Sequence, residues 1–216
     1  MNKGTFAPYK KGRAMKYIFN FENREKPIQF NREKLLLSAL QESEQLYYMM
    51  DTQYEGIYQA ESLERRRLYG SNSFKNILKK SKYKFLSNRK QQINEAFKLM
   101  EEQEISVFRK GMHFYTEVAY EDLVPGDVIF ISGGDIIPSD VRLVFAKDLE
   151  VDQSIYTGNP SVVAKTTDYD DDKTALEAIT DIPNICFVGS TVVGGLARGV
   201  VVSTGKATYL SHLLLM

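Results

Sequence analysis

Residues 152–160 read Asp-Gln-Ser-Ile-Tyr-Thr-Gly-Asn-Pro, and the end of this run could handle a water or a phosphate-like group. Thr157 brings a hydroxyl, and Gly158 lets a backbone approach closely because it has no Cβ to clash. Asn159 brings an amide at the position where general-base chemistry wants a carboxylate. An amide can hydrogen-bond a water but takes no proton at physiological pH. Pro160 biases Asn159 toward extended backbone. Thr-Gly-Asn-Pro also describes a plain surface turn, and the residue types leave both readings open.

Other side chains capable of chemistry are few and scattered. His113 and His212 lie far apart in sequence and read as structural or surface residues. Cys186 sits inside an apolar, strand-like run, which predicts a buried and inert thiol. Asp168, Asp170, Asp171 and Asp172 could attract Mg²⁺ weakly or simply form a solvated acidic loop. No cofactor site and no metal site is assigned from these residues.

Composition narrows the classes of partner. Of 216 residues 43% are apolar, enough for one or two small cores. The 28 basic and 28 acidic residues cancel, which argues against general nucleic-acid binding and against electrostatic attachment of the whole chain to an anionic membrane. A single cysteine rules out an intramolecular disulfide and fits a reducing compartment. Met1 to Phe21 is basic and aromatic, without the apolar core of a signal peptide. Ile185 to Gly205 is long enough to span a membrane, but Arg198 near its middle would cost roughly 2.5–3.5 kcal/mol on insertion. The Gly194-Gly195 pair and the β-branched residues instead predict a β-hairpin there.

The elements that must position the run follow from periodicity. Residues 1–30 read as a loose lead-in. Residues 31–74 read as a helical module: Asn31 is an N-cap candidate, with Lys34 at the third position on. Leu35, Leu36, Ala39, Leu40, Leu46 and Tyr47 then recur at helical spacing through residue 50. A second helix starts at Gln59 and ends at Gly70, a residue suited to the position after a helix. Residues 75–104 form a basic linker and a helix. Lys75, Lys79, Lys80, Lys82, Lys84, Arg89 and Lys90 alternate with Ile77, Leu78, Phe85 and Leu86. Residues 75–90 read either as a solvated charged face or as a contact with a membrane surface or anionic partner. A helix over Gln91–Glu104 places Ile93, Phe97 and Met100 on one side. From Ile105 to Met216 the period shortens. Short apolar bursts are punctuated by Lys110-Gly111, Pro125-Gly126-Asp127, Gly133-Gly134-Asp135 and Pro138, which predicts a β-rich domain, sandwich or barrel-like. Tyr209 to Met216 reads as the start of an apolar helix that breaks off where something should follow.

Three segments combine into one signature. They are Asp122-Leu-Val-Pro-Gly-Asp-Val with Gly134-Asp-Ile-Ile-Pro-Ser-Asp-Val-Arg; Asp152-Gln-Ser-Ile-Tyr-Thr-Gly with Val163 and Lys165; and Asn184 with Phe187-Val-Gly-Ser-Thr-Val-Val-x-Gly, Gly199 and Thr204-Gly-Lys-Ala-Thr. In this order they resemble the actuator domain of P-type cation-transporting ATPases. The phrase Cys186-Phe-Val-Gly-Ser-Thr-Val-Val-Gly-Gly is most similar to the magnesium-transporting branch. The stretch from Tyr54 to Asn72 resembles the N-terminal module of the same pumps.

The resemblance implies an α+β fold, a β-sandwich or distorted jelly roll with flanking N-terminal helices. In the family the loop reads Thr-Gly-Glu and reaches an aspartyl phosphate on a separate domain, where the Glu activates water. The family dephosphorylation loop therefore falls at Thr157, Gly158 and Asn159, with Asn159 in place of Glu, and no residue is assigned as catalytic. The phosphorylation sequence Asp-Lys-Thr-Gly-Thr is absent from the chain, so ATP and Mg²⁺ would belong to other domains of a parent pump. Between Asn72 and Gln91 there is no run near the ~20 apolar residues that a spanning helix needs, where family members carry a membrane hairpin. Three functions compete: the actuator portion of a cation pump, as fragment or degenerate paralogue; a stand-alone regulatory module; and a residual phosphatase acting in trans. The first implies the phosphorylation or membrane domain of a pump as partner, no nucleic acid, and a cytoplasmic location, at the cytoplasmic face of the membrane if the chain is part of a pump. Oligomeric state is not set by the sequence.

Overall fold

The computed structural model describes residues 29–80, 89–112, 115–158, 160, 162–169 and 176–216. The lead-in through residue 28, the segment 81–88 with Lys82, Lys84, Phe85 and Leu86, and His113, Asn159, Asp170, Asp171 and Asp172 lie outside the described residues.

Among the described residues five helices precede the sheet: α1 (Arg32–Leu40), α2 (Ser43–Met49), α3 (Gln59–Tyr69), α4 (Lys75–Lys80) and α5 (Lys90–Glu102). Asn31 caps α1 as its type predicts, its Oδ1 accepting from the Lys34 amide at 2.9 Å. Gly70 ends α3 with φ +80, where a Cβ-bearing residue is strained. Ile93, Phe97 and Met100 are buried on the inner side of α5. That helix stops at Glu102, and Glu104 already belongs to a strand.

Helical spacing through residue 50 predicts one continuous element, and the structure corrects this: the chain breaks at Gln41-Glu42. The reason is tertiary. Buried Arg142 donates from Nε to the Ser38 carbonyl at 3.2 Å and from Nη2 to the Gln41 carbonyl at 2.8 Å. Asn184 Nδ2 donates to the Ala39 carbonyl at 2.8 Å. These donors satisfy carbonyls that a helix end leaves without partners. The helix ends where the β-domain supplies its cap.

The strands among the described residues are β1 (Glu104–Phe108), β2 (Tyr115–Ala119), β3 (Val128–Ser132), β4 (Asp140–Asp152), β5 (Val162–Lys165), β6 (Ile185–Cys186) and β7 (Thr191–Ser203). They pair antiparallel in one continuous sheet of order β2-β1-β3-β7-β4-β5, with β6 beside β4. The α+β class is therefore as the resemblance implies. The pairing of β4 with β7 is the longest, each strand having 13 residues.

The hairpin expected over Ile185–Gly205 does not form. Gly194 and Gly195 lie inside β7, which runs on to Ser203. Gly195 (φ +79) faces Asp148 (φ +49) at a register shift between β4 and β7. A Cβ at Gly195 would fall 2.1 Å from the Asp148 carbonyl oxygen. The glycine therefore allows a bulge in one long strand rather than a reversal between two. Arg198 is reconciled with its apolar run by stacking: its guanidinium lies 3.6 Å from the Tyr54 ring centroid and 3.8 Å from that of Phe108.

One cluster of buried side chains joins Leu35, Leu46, Phe74 and Phe97 of the helical part to Val128, Leu143 and Val200 of the sheet. At the Pro125-Gly126-Asp127 turn, Asp127 is fully buried and ion-paired with buried Arg109; its Oδ2 also accepts from the Val124 amide at 3.0 Å. Removing one partner of such a pair leaves an uncompensated charge in the interior. Asp127→Ala is expected to lower the unfolding free energy by about 3–5 kcal/mol in urea titration, and a loss below about 1 kcal/mol would contradict the pair's role.

Candidate functional site

The run 152–160 leaves the end of β4 and turns back into β5. Asp152 pairs with Val162 on one side and Thr191 on the other, so both strands fix the start of the turn. Its carboxylate accepts from the Ser154 amide at 2.8 Å and from the Ser154 hydroxyl at 3.2 Å, which opens the one-turn helix α6 (Ser154–Thr157). Gln153 is buried and donates from Nε2 to the Thr180 carbonyl at 3.1 Å.

Beneath α6 lies an aromatic floor. Tyr156 is buried and donates its hydroxyl to the Val188 carbonyl at 2.6 Å. Its ring stacks on Tyr209 with 5.8 Å between centroids and meets Phe187 edge-on at 5.8 Å. Asp140 joins the floor to the rest of the fold. Completely buried, it accepts from the Val188 amide at 3.2 Å and from the Tyr209 amide at 2.7 Å, where α7 (Tyr209–Leu215) begins. Burial pushes the Asp140 carboxyl up to about 7 against the pull of these two N–H donors.

On this support the turn presents Thr157 and Gly158 to solvent. Gly158 adopts a left-handed conformation (φ +80, ψ −7), and its amide donates to the Ser154 carbonyl at 2.7 Å. The Arg89 guanidinium lies across this glycine. A Cβ built there would sit 2.6 Å from Nη2 and 2.9 Å from Nε, and Nη1 donates to the Tyr156 carbonyl.

Chemically, the described turn carries the Thr157 hydroxyl, which also donates to the Gln153 carbonyl at 3.5 Å, a backbone without a Cβ at Gly158 and the Arg89 cation beside it. Tyr156 is the one ionisable side chain between Asp152 and Pro160, and burial raises it well above its ordinary range. Its phenol therefore stays protonated near neutrality. On the far side of the turn, Lys165 of β5 is buried and donates to the Thr180 and Ile182 carbonyls at 3.1 and 2.9 Å, with burial lowering it to about 8. These bonds tie the return strand to the chain around the 3-10 turn Ile179–Asp181.

The family model for the P-type ATPase actuator domain matches residues 100–216. The chain belongs to that family. Over 125 residues it is 38% identical to the magnesium-transporting ATPase, P-type 1, of Escherichia coli strain K12, a stretch that is 55% of this chain and 14% of that protein. It is 36% identical over 125 residues to the corresponding protein of Salmonella typhimurium, and 35% identical over 121 residues to the human sodium/potassium-transporting ATPase subunit alpha-4. The matched parts are 13% and 11% of those two proteins, so the chain spans only a small fraction of the relatives it matches.

Within the actuator domain, Thr157 and Gly158 fall together at the exposed turn. The remaining candidates lie elsewhere. Cys186 is fully buried in β6, its thiol pushed up to about 11 by burial. His212 is half-buried on α7 with its ring 4.9 Å from that of Phe30. Asp168 is exposed. Among the described residues no helix is long and apolar enough to cross a membrane. Residue-by-residue reading missed the roles of Arg89, Asp140 and Tyr156. Arg89 stood in the sequence only as one cation of a basic segment, and 67 residues separate it from Tyr156.

Two outcomes follow. Gly158→Ala places a Cβ on a left-handed residue, so stability should fall by about 1–2 kcal/mol in chemical unfolding, and an unchanged midpoint would contradict the turn geometry. Asp140 has a folded pKa of about 7 against an ordinary 3.8. The folded state therefore binds the proton more tightly, and Asp140's contribution to stability is complete below about pH 4 and lost as pH rises through 7. Asp140→Asn should flatten that decline in unfolding measured across the window; an identical slope in the variant would assign it to other groups.

Proposed function

We propose that this chain works as the actuator portion of a P-type cation pump, most similar to the magnesium-transporting branch, and that it docks on a phosphorylated carboxylate without hydrolysing it. The observation that carries this reading is the turn itself. An exposed Thr157-Gly158 turn with a cation beside it is held on an aromatic floor, and the stretch Gln153–Pro160 contains no carboxylate to act as general base. Such a turn suits recognition of an anionic group and leaves the proton transfer of hydrolysis unassisted.

In this reading Thr157, Gly158 and Asn159 form the docking loop, and none is catalytic in the chain alone. The partner is the phosphorylation domain of a pump, supplied in the same polypeptide or by another, at the cytoplasmic face of a membrane. ATP and Mg²⁺ act on that partner. The division at residues 31, 75 and 105 then separates an N-terminal module, a linker with its helix, and the actuator proper.

A second reading, a stand-alone regulator that docks through the same loop, is favoured by one feature. The helical part shares its core directly with the sheet, and no membrane-length apolar run separates them in the sequence. The two readings differ in whether the partner domain is continuous with this chain, and they make the same demand on the loop.

The purified chain should show no ATP turnover. With a phosphorylation domain of a magnesium-transporting relative, held as the acyl phosphate, the wild-type chain should leave the dephosphorylation rate unchanged. Asn159→Glu should raise that rate by about 10²–10⁴-fold, the usual worth of a positioned general base. A variant no faster than wild type would sink the assignment of this loop as the degenerate dephosphorylation loop.

A further inference from the structure

Arg89 reaches the loop from outside the β-domain. It immediately precedes α5, whose Ile93, Phe97 and Met100 are buried in the shared core. The arginine is thus delivered from an anchored element. Its guanidinium makes two contacts that matter: Nη1 donates to the carbonyl of Tyr156, in the last turn of α6, and the flat face covers Gly158. A helix of four residues holds its shape weakly, because a single turn fixes several dihedrals in return for little hydrogen bonding. Its terminal carbonyls are also left without partners inside the helix, and a cation there offsets both the lost bond and the local negative dipole.

We propose that Arg89 is the positioning residue of this loop. By gripping the Tyr156 carbonyl and closing over Gly158, it fixes the direction in which the chain leaves α6 toward Asn159. The turn is then governed from two sides. The aromatic floor, with Tyr156, Tyr209 and Asp140, sets its depth. Arg89, and through it α5, sets its orientation. A shift of α5 at its Arg89 end would be passed directly to the docking loop, which gives this arginine a mechanical role distinct from the charged-surface readings of residues 75–90. The glycine is required on both counts. Only a residue without Cβ takes φ +80 easily, and a Cβ there would push the guanidinium off its present place.

This inference rests on the docking reading for its purpose but not for its test. Amide hydrogen exchange should be followed in the full chain for wild type, Arg89→Ala and Arg89→Lys. In Arg89→Ala, protection of the Gly158 and Thr157 amides should fall about tenfold, the equivalent of one hydrogen bond to a charged group. Amides of α5 and of the β4–β7 ladder should keep their protection. Arg89→Lys, which retains one charged donor, should recover most of the loss. Unchanged Gly158 protection in Arg89→Ala would overturn the proposal. A uniform fall across the whole chain would do so too, because it would make Arg89 a general stability contact. A second arm measures binding to a phosphorylation domain of a magnesium-transporting relative, loaded with beryllium fluoride as a phosphate mimic. Wild type should bind the loaded domain and Arg89→Ala about tenfold more weakly; equal binding by both would overturn the proposal. If wild type itself fails to bind, the docking reading falls, and the exchange result alone decides the role of Arg89.

Discussion

The ends of short helices inside this protein leave backbone carbonyls that must find donors, and much of the architecture answers that constraint. The last carbonyls of α1 are met by Arg142 of β4 and by Asn184. Arg65 of α3 donates to the Met50 and Asp51 carbonyls just past α2, at 2.8 and 2.5 Å, and to Pro125 at 2.8 Å. Lys165 and Gln153 serve the carbonyls around the 3-10 turn. Arg89 does the same for α6. A buried carbonyl without a partner is costly, and so is a buried cation without one; setting each against the other offsets part of both penalties. Because donor and carbonyl come from elements far apart in the chain, each such bond also fixes one element's place on another.

The β4–β7 ladder gives these bonds a common frame. β4 begins at Asp140, beneath the N-terminus of α7 and the Val188 backbone, and ends at Asp152, which opens the turn. One strand thus carries both the buried support and the exposed site. Its long partner tolerates the register shift between Lys147 and Glu150 because Gly195 accepts the crowding opposite Asp148. Asn72 adds a cross-brace, donating to the Tyr120 and Pro138 carbonyls at 2.9 Å each and accepting from the Gly205 amide at 2.8 Å. The helical part is consequently built into the same framework as the sheet.

The electrostatics of the turn follow from that framework. A loop built for base catalysis needs a carboxylate whose proton affinity suits the reaction. Here the run from Gln153 to Pro160 contains no acidic side chain, and a guanidinium lies against its glycine. In the proposed docking role, that charge would meet an anion rather than deprotonate water. The buried aromatic floor adds rigidity, because a tyrosine held by both stacking and a hydrogen bond has little freedom to let the turn above it drift.

By itself the sequence determined the elements whose cause is local. The Asn31 cap, the end of α3 at Gly70, the inner side of α5 and the change of period at residue 105 were all legible, because capping, glycine conformation and hydrophobic spacing act over a few residues. So was the family, since the Pro125-Gly126-Asp127, Thr157-Gly158 and Phe187-Val-Gly-Ser segments follow one another in a fixed order. Tertiary structure alone decided where donors and acceptors distant in sequence meet. Helical spacing ran through Gln41 without a visible stop, because the residues that end α1 sit on β4 and before β6. Gly194-Gly195 looked like a reversal, because nothing in β7 announces that Asp148 crosses it at a bulge. Arg89 looked like one more solvated cation, until folding set it over Gly158. Periodicity records which side of an element is apolar, whereas the bonds that shape this turn are made between chain segments that only the packed core brings together.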